Sequence, residues 1–197
     1  MKIDIFGLGA IGSNLLLQLA KKYPNIEFMG IDYDVVEERN IMTQAYLIPH
    51  IGIKKVLAMQ GVLGLNLRKF KYSPLDMKMT HKKHVANLKN IKEEHLMIDC
   101  FDNSESRKLF ESANGWNPDI LHIGFSPQYT AEIIWHENYS VPNDIPEEQD
   151  DICEMREAVP FITFVTGFAT GVISDFIESK TKSDYIITNK YNIKKLS

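Results

Sequence analysis

The chain has 197 residues, 22 Lys+Arg against 26 Asp+Glu for a formal charge of −4, and 44% hydrophobic residues. That length and composition suit one domain that buries its own core without staples. The mildly acidic balance excludes a protein whose main partner is nucleic-acid phosphate, which needs a concentrated basic face. The two cysteines, Cys100 and Cys153, form neither a disulfide framework nor metal-type pairs, so a reducing compartment, the cytoplasm, is expected.

Met1-Lys2-Ile3-Asp4 runs straight into an apolar strand, Ile3 to Phe6, and no signal or transit peptide is expected. Glycines follow, then a leucine-rich helix over 13–22 that Pro24 stops. A second strand over 27–32 completes a βαβ unit, whose crossover is right-handed. Helical spacing returns over 53–65, and a third strand is predicted over 68–73. His95 to Cys100 reads as a buried strand, followed by a helix over 104–113 and a strand over 120–124. A sixth strand over 129–136 is predicted to run antiparallel at one edge.

Acidic residues and prolines then mark 138–158 as a mobile crossover loop. The apolar stretch 161–177 is at the short limit for a membrane span and holds Asp175, so it is read as a buried helix with no membrane role. Gly167, Gly171 and Ser174 share a helical ridge suited to close approach by a sheet or a sister subunit. A strand-like piece over 184–188 closes the pattern. The fold expected is α/β: one doubly wound, mostly parallel, Rossmann-like sheet with an antiparallel edge, forming a single domain over 1–197.

Gly7-Leu8-Gly9-Ala10-Ile11-Gly12 is a G-x-G-x-x-G loop in its required context, after a strand and opening a helix. Gly7 makes the tight turn, Gly9 admits a phosphate, and Gly12 lets helix pack on strand. The helix N-terminus offers N–H groups and partial positive charge to an anion. Asp32 follows about twenty residues later at a strand end, where a carboxylate accepts ribose hydroxyls. This motif fits both a dinucleotide and ATP. The residues beyond it favour a triphosphate: Asp34, Asn40, Gln44 and Lys55 come next, and Asp102 sits at a later strand's carboxyl end. Magnesium takes one or two carboxylates plus phosphate oxygens, and a lysine acts on phosphate as a point charge.

These segments resemble the ubiquitin-activating-enzyme-like adenylyltransferases, including those that activate sulfur-carrier proteins for thiamine and molybdopterin synthesis. The resemblance rests on the glycine loop, Asp32-Tyr33-Asp34 with Val36, Asn40 and Gln44, Gly52-x-x-Lys55, and Cys100-Phe101-Asp102-Asn103 with Arg107. It implies ATP-dependent adenylation of the C-terminal carboxylate of a small β-grasp protein with a Gly-Gly-type tail, and a homodimer. By position it assigns the ribose to Asp32, the phosphates to Asn40, Gln44 and Lys55, and magnesium to Asp102. Cys153, after the acidic loop, matches a cysteine that takes part in thioester or persulfide chemistry in this family. Two departures stand out. Thr43 replaces the arginine that usually precedes the glutamine, so lowered efficiency is expected; Arg39 and Lys54 lie near but at other positions. The family's zinc-binding cysteine pairs are absent.

Other features read as structural. His81-Lys82-Lys83-His84 is a solvated face, and His50, His95, His122 and His136 suggest no catalytic set. Trp116, Trp135, Phe125 and Tyr129 either fill the core or line a groove for a peptide tail. Two rival functions remain: an NAD(P)-dependent oxidoreductase sharing the glycine loop and Asp32, and a catalytically impaired relative that only binds nucleotide or partner.

Overall fold

The computed structural model describes residues 1–67, 69–79, 94–113, 119–126, 129–141 and 155–196. Five strands run parallel in the order β3-β2-β1-β4-β5: β1 (Lys2–Phe6), β2 (Glu27–Asp32), β3 (Lys71–Asp76), β4 (His95–Asp99) and β5 (Asp119–Ser126). Three antiparallel strands extend the sheet beyond β5: β6 (Thr130–Trp135), β7 (Tyr185–Ile187) and β8 (Ile193–Lys195). The expected doubly wound sheet with an antiparallel edge is therefore present. At the edge the reading of the sequence is corrected. The sixth strand is antiparallel but interior, flanked by β5 and β7, and Ile193-Lys194-Lys195 makes the true edge. That tripeptide is too short and too exposed to leave a periodic signal.

One sheet face carries the main core. Ile3, Ile5, Leu96, Ile98, Leu121 and Ile123 meet three helices, α1 (Ala10–Lys22), α2 (Lys55–Asn66) and the long apolar helix Val159–Ser179. That last helix buries Phe161, Val165, Ala169, Ile173 and Phe176 against the sheet. Its sequence is apolar and long enough to span a bilayer (mean hydropathy 1.5), and half of that window is buried in this fold. The glycine ridge does not face the sheet: Gly167 and Gly171 point outward with nothing within 4 Å, while Ser174 turns in to accept from Lys22 Nζ at 2.6 Å. Gln18 donates to Thr166 Oγ1 (2.9 Å) and accepts from Thr170 Oγ1 (3.1 Å), completing a polar seam between this helix and α1.

The opposite face is partly polar. Phe6, Ile31, Met97, Phe110 and Ile120 form a smaller core, and Asp4, His95, Asp99 and His122 are buried on the same side. His95 Nε2 lies 2.8 Å from Asp4 Oδ2, off the axis a hydrogen bond needs. Beyond β4, the expected helix over 104–113 splits. Only α3 (Ser104–Arg107) is α-helical, and Lys108–Ala113 tightens into 3-10 turns. A three-residue period sets Arg107 and Phe110 on one inward line, and both are buried. Counting α3, the long helix Val159–Ser179 is α4. Of the loop expected over 138–158, only 138–141 and 155–158 are among the described residues.

Candidate functional site

β1 is the switch point of this sheet: the chain passes to β2 and β3 on one side and to β4 and β5 on the other, and ligands bind beyond the strand ends at such a point. The glycine loop sits there. Gly7 has φ +83, its N–H donates to the Ile31 carbonyl at 2.9 Å, and a Cβ on it would come within 2.9 Å of the Cys100 carbonyl. At Gly12 a Cβ would fall 1.9 Å from the Gly7 carbonyl, so only glycine closes this turn. Gly9 differs: nothing lies within 4 Å of its Cβ position, and α1 starts beside it with no acidic residue in its first turn and no side-chain cap. The loop is open at Gly9, with orphan helix N–H groups beside it.

Residues that sequence reasoning passed over hold the loop in place. Tyr46 is buried and donates its hydroxyl to the Leu8 carbonyl at 2.8 Å; burial pushes its phenol well above the usual range, so it remains a donor. Ser13 Oγ donates to Gly9 and accepts from the Ala45 N–H, and Asn14 Nδ2 donates to the Thr43 carbonyl at 2.8 Å. The turn 43–46 is thus fastened to the glycine loop.

Asp32 ends β2 beside it. Its Oδ2 accepts the Leu8 N–H at 2.7 Å and its Oδ1 the Asp34 N–H at 2.8 Å. Burial raises its carboxyl affinity for protons, while Lys55 and the two N–H groups pull the other way. Lys55 opens α2, donates its own N–H to the Asp34 carbonyl, and reaches Asp34 Oδ2 with Nζ at 3.3 Å. Asn40 caps the 3-10 turn Glu38–Met42 by accepting the Glu37 N–H at 2.9 Å. Gln44 is buried, and among the described residues its Oε1 has no hydrogen-bond partner. So Gly7, Gly9, Gly12, Asp32, Asp34 and Lys55 share one hydrogen-bonded assembly, with Asn40 and Gln44 on the adjoining turn.

Across the switch point, Cys100 donates its N–H to Phe6 at 2.8 Å and Asp102 stands exposed, accepting from Asn103 Nδ2 at 3.0 Å. Asn103 in turn caps α3 by accepting the Ser106 N–H at 2.8 Å. Behind this rim lies a network absent from the sequence reading, and it joins two of the histidines, His122 and His136. His122 Nδ1 contacts Asp99 Oδ2 at 2.8 Å and its Nε2 contacts His136 Nδ1 at 2.9 Å. Tyr139 stacks on the His122 ring at 3.7 Å, and Arg107 donates to Tyr139 (2.7 Å) and to the Phe101 carbonyl (2.7 Å). Burial works against the Arg107 charge, but Asp99, Tyr139 and Glu132 outweigh it and hold the guanidinium above its ordinary range. Burial, opposed by Arg107, pushes the Tyr139 phenol up to about 12.

Cys100 is partly buried and its thiol is pushed up by burial and Asp99, which makes it a poor nucleophile. Trp135 packs in the core at 4.8 Å from Phe176, and Phe125 and Tyr129 pack on Phe161. Cys153, His81, His84 and Trp116 lie outside the described residues. Arg39 and Lys54 are each engaged by a carboxylate, Glu37 at 2.6 Å and Asp76 at 3.2 Å.

Among the described residues no group of three or more His, Cys, Asp or Glu side chains converges as a metal cage. A lone exposed Asp102 suits a cation that brings phosphate oxygens with it. The open flank of Gly9 and the orphaned Gln44 Oε1 fit a polar ligand in the crevice. The ThiF family model matches residues 1–175. The chain belongs to the ThiF family. Solved structures share its fold throughout. PaaA superposes with a TM-score of 0.75 at 18% identity, covering 100% of this chain and 63% of its own. E. coli MccB with AMPCPP and MccA superposes at 0.73 and 15%, covering 100% and 63%, and MccB with ATP at 0.72 and 14%, covering 100% and 62%. This ThiF-family chain therefore spans less than two thirds of those proteins. No curated protein matches it by sequence.

Proposed function

We propose that the protein is an adenylyltransferase that binds ATP with magnesium and activates the C-terminal carboxylate of a small partner. The observation that carries this reading is the pre-set carboxylate of Asp32, held by two backbone N–H groups beside Lys55 at the mouth of the glycine loop. Each Asp32 oxygen keeps acceptor capacity for a ribose hydroxyl. Asn40, Gln44 and Lys55 would address the phosphates, and Asp102 would hold the magnesium, which would offset charge on the pyrophosphate. ThiF-family membership supports this assignment, as do the MccB structures with ATP and AMPCPP.

In the reaction the partner's carboxylate oxygen attacks the α-phosphorus of ATP. A carboxyl–phosphate bond forms, the bond to the β-phosphate oxygen breaks, and pyrophosphate leaves. The chain's task is positioning and electrostatics: aim the tail, fix the ribose and offset charge on the phosphates. MccB binds MccA, which supports a peptide or small protein as partner here; a β-grasp protein with a Gly-Gly-type tail, a homodimeric enzyme and a cytoplasmic setting complete the proposal. Cys153 as a later acceptor of the activated carboxyl belongs to it too, and intact mass after incubation with ATP and partner tests that role.

Titration calorimetry against MgATP and NADH, followed by ATP–pyrophosphate exchange with the partner, is the test. Micromolar MgATP binding with exchange is expected. NADH binding in place of ATP would establish the oxidoreductase reading, and ATP binding without exchange an impaired relative.

A further inference from the structure

The cations near the glycine loop differ in what they already hold. Lys55 is tied to Asp34, Lys54 to Asp76 and Arg39 to Glu37. Arg156 is exposed, and its Nε donates to a thioether, Met42 Sδ, at 3.3 Å. Among the described residues no carboxylate pairs with it and its two terminal nitrogens have no partner. Sulfur is a weak acceptor, whereas a guanidinium fork suits phosphate oxygens.

Its placement is fixed from both sides. Ala158 and Met155, which flank it in sequence, pack with Ile162 against Ala10, the residue that opens α1 inside the glycine loop. Met42 belongs to the 3-10 turn Glu38–Met42 and precedes Thr43, whose carbonyl Asn14 of α1 binds. Arg156 therefore bridges the glycine loop and the Asn40–Gln44 turn, although more than 110 residues separate it from Met42.

We infer that Arg156 is a phosphate-binding residue of the nucleotide site, supplying from the 3-10 turn just before α4 the guanidinium that Thr43 lacks. The thioether is its resting partner: it orients the side chain without neutralising it, and a polyphosphate in the crevice draws the fork over. This rests on the ATP reading above. It accounts for an intact ribose carboxylate and lysine in a chain without an arginine at position 43.

The test compares wild type, Arg156→Gln and Arg156→Lys by calorimetry with MgATP and with AMP, alongside ATP–pyrophosphate exchange. For Arg156→Gln the Kd for MgATP is expected to rise about tenfold or more, as for loss of a charge-assisted contact, while the Kd for AMP moves less than about threefold. The lysine variant, a point charge without the fork, recovers part of the loss. Unchanged MgATP affinity in Arg156→Gln overturns the inference, and so does an equal loss for MgATP and AMP, which marks a structural role. If the glutamine variant does not fold, the lysine variant carries the comparison by the same two ligands. Wild type that binds no MgATP removes the nucleotide reading itself, whereas wild type that binds it beside an indifferent Arg156→Gln removes only the arginine's role.

Discussion

Asp32 and Asp99 end β2 and β4, the two strands that flank β1, and each accepts with Oδ1 the N–H two residues ahead, from Asp34 at 2.8 Å and Phe101 at 3.0 Å. There the likeness stops. The second oxygen of Asp32 meets the Leu8 N–H at the crevice mouth, and the residue keeps 8% of its surface. That of Asp99 meets His122 and is fully enclosed, with His136 bonded to the far side of the ring, Tyr139 stacked on it and Arg107 bonded to Tyr139. Asp32 stays open to the crevice, whereas Asp99 holds the wall that carries Asp102. Two carboxylates in matching strand positions thus differ in exposure according to what the neighbouring segment offers the free oxygen.

The largest effect separating the two rims should come from Asp102→Ala. It is exposed, so thermal stability should stay within a degree or two of wild type, while exchange falls on the order of a thousandfold. A drop in stability of similar weight would break the division. Arg107→Ala should do the reverse. Removing a guanidinium that is 6% exposed strands Glu132 and the Tyr139 hydroxyl, at a cost of about 3 kcal/mol in urea unfolding. Gly124 sharpens the point: a Cβ there would sit 2.7 Å from the guanidinium, so the site is cut to fit the arginine.

On the first rim sequence reasoning found the site; on the second it named Asp102 and Arg107 but not the network behind them, for a physical reason. The glycine loop, Asp32 and Lys55 lie on one continuous β1-α1-β2-α2 stretch, where spacing along the chain maps onto spacing in the crevice. Asp99, Arg107, His122 and the His136–Tyr139 turn come from four separate segments, and only the β1-β4-β5-β6 strand order collects them. Arg156 is a harder case still, since its neighbour Met42 carries no signal as an arginine partner. The third strand was displaced for a related reason: Phe70 and Tyr72 dominate the apolar pattern, yet pairing with β2 sets the register at Lys71–Asp76, aligning Asp32 with Asp76.

The smallest expected effect is a titration. Burial and the adjacent His122 lower the proton affinity of His136 below the usual histidine value of 6.5, with Glu137 and Asp99 pulling weakly upward and Lys182 down. A depressed histidine leaves the folded state with fewer bound protons than the unfolded chain, so stability is full above about pH 6.5 and declines as pH falls through the folded value. In His136→Gln the urea midpoint should fall less steeply between pH 7 and pH 5 than in wild type. An identical slope would detach His136 from the supporting wall.

The hydroxyl and amide seam between α1 and α4 has a mechanical consequence. Gln18 and Lys22 reach Thr166, Thr170 and Ser174, polar groups four residues apart along one face, so sliding α4 along α1 breaks these hydrogen bonds together. α1 begins in the glycine loop and α4 begins just after Arg156. The seam is in effect a ruler laid between two helices, and it sets how far the arginine stands from the loop.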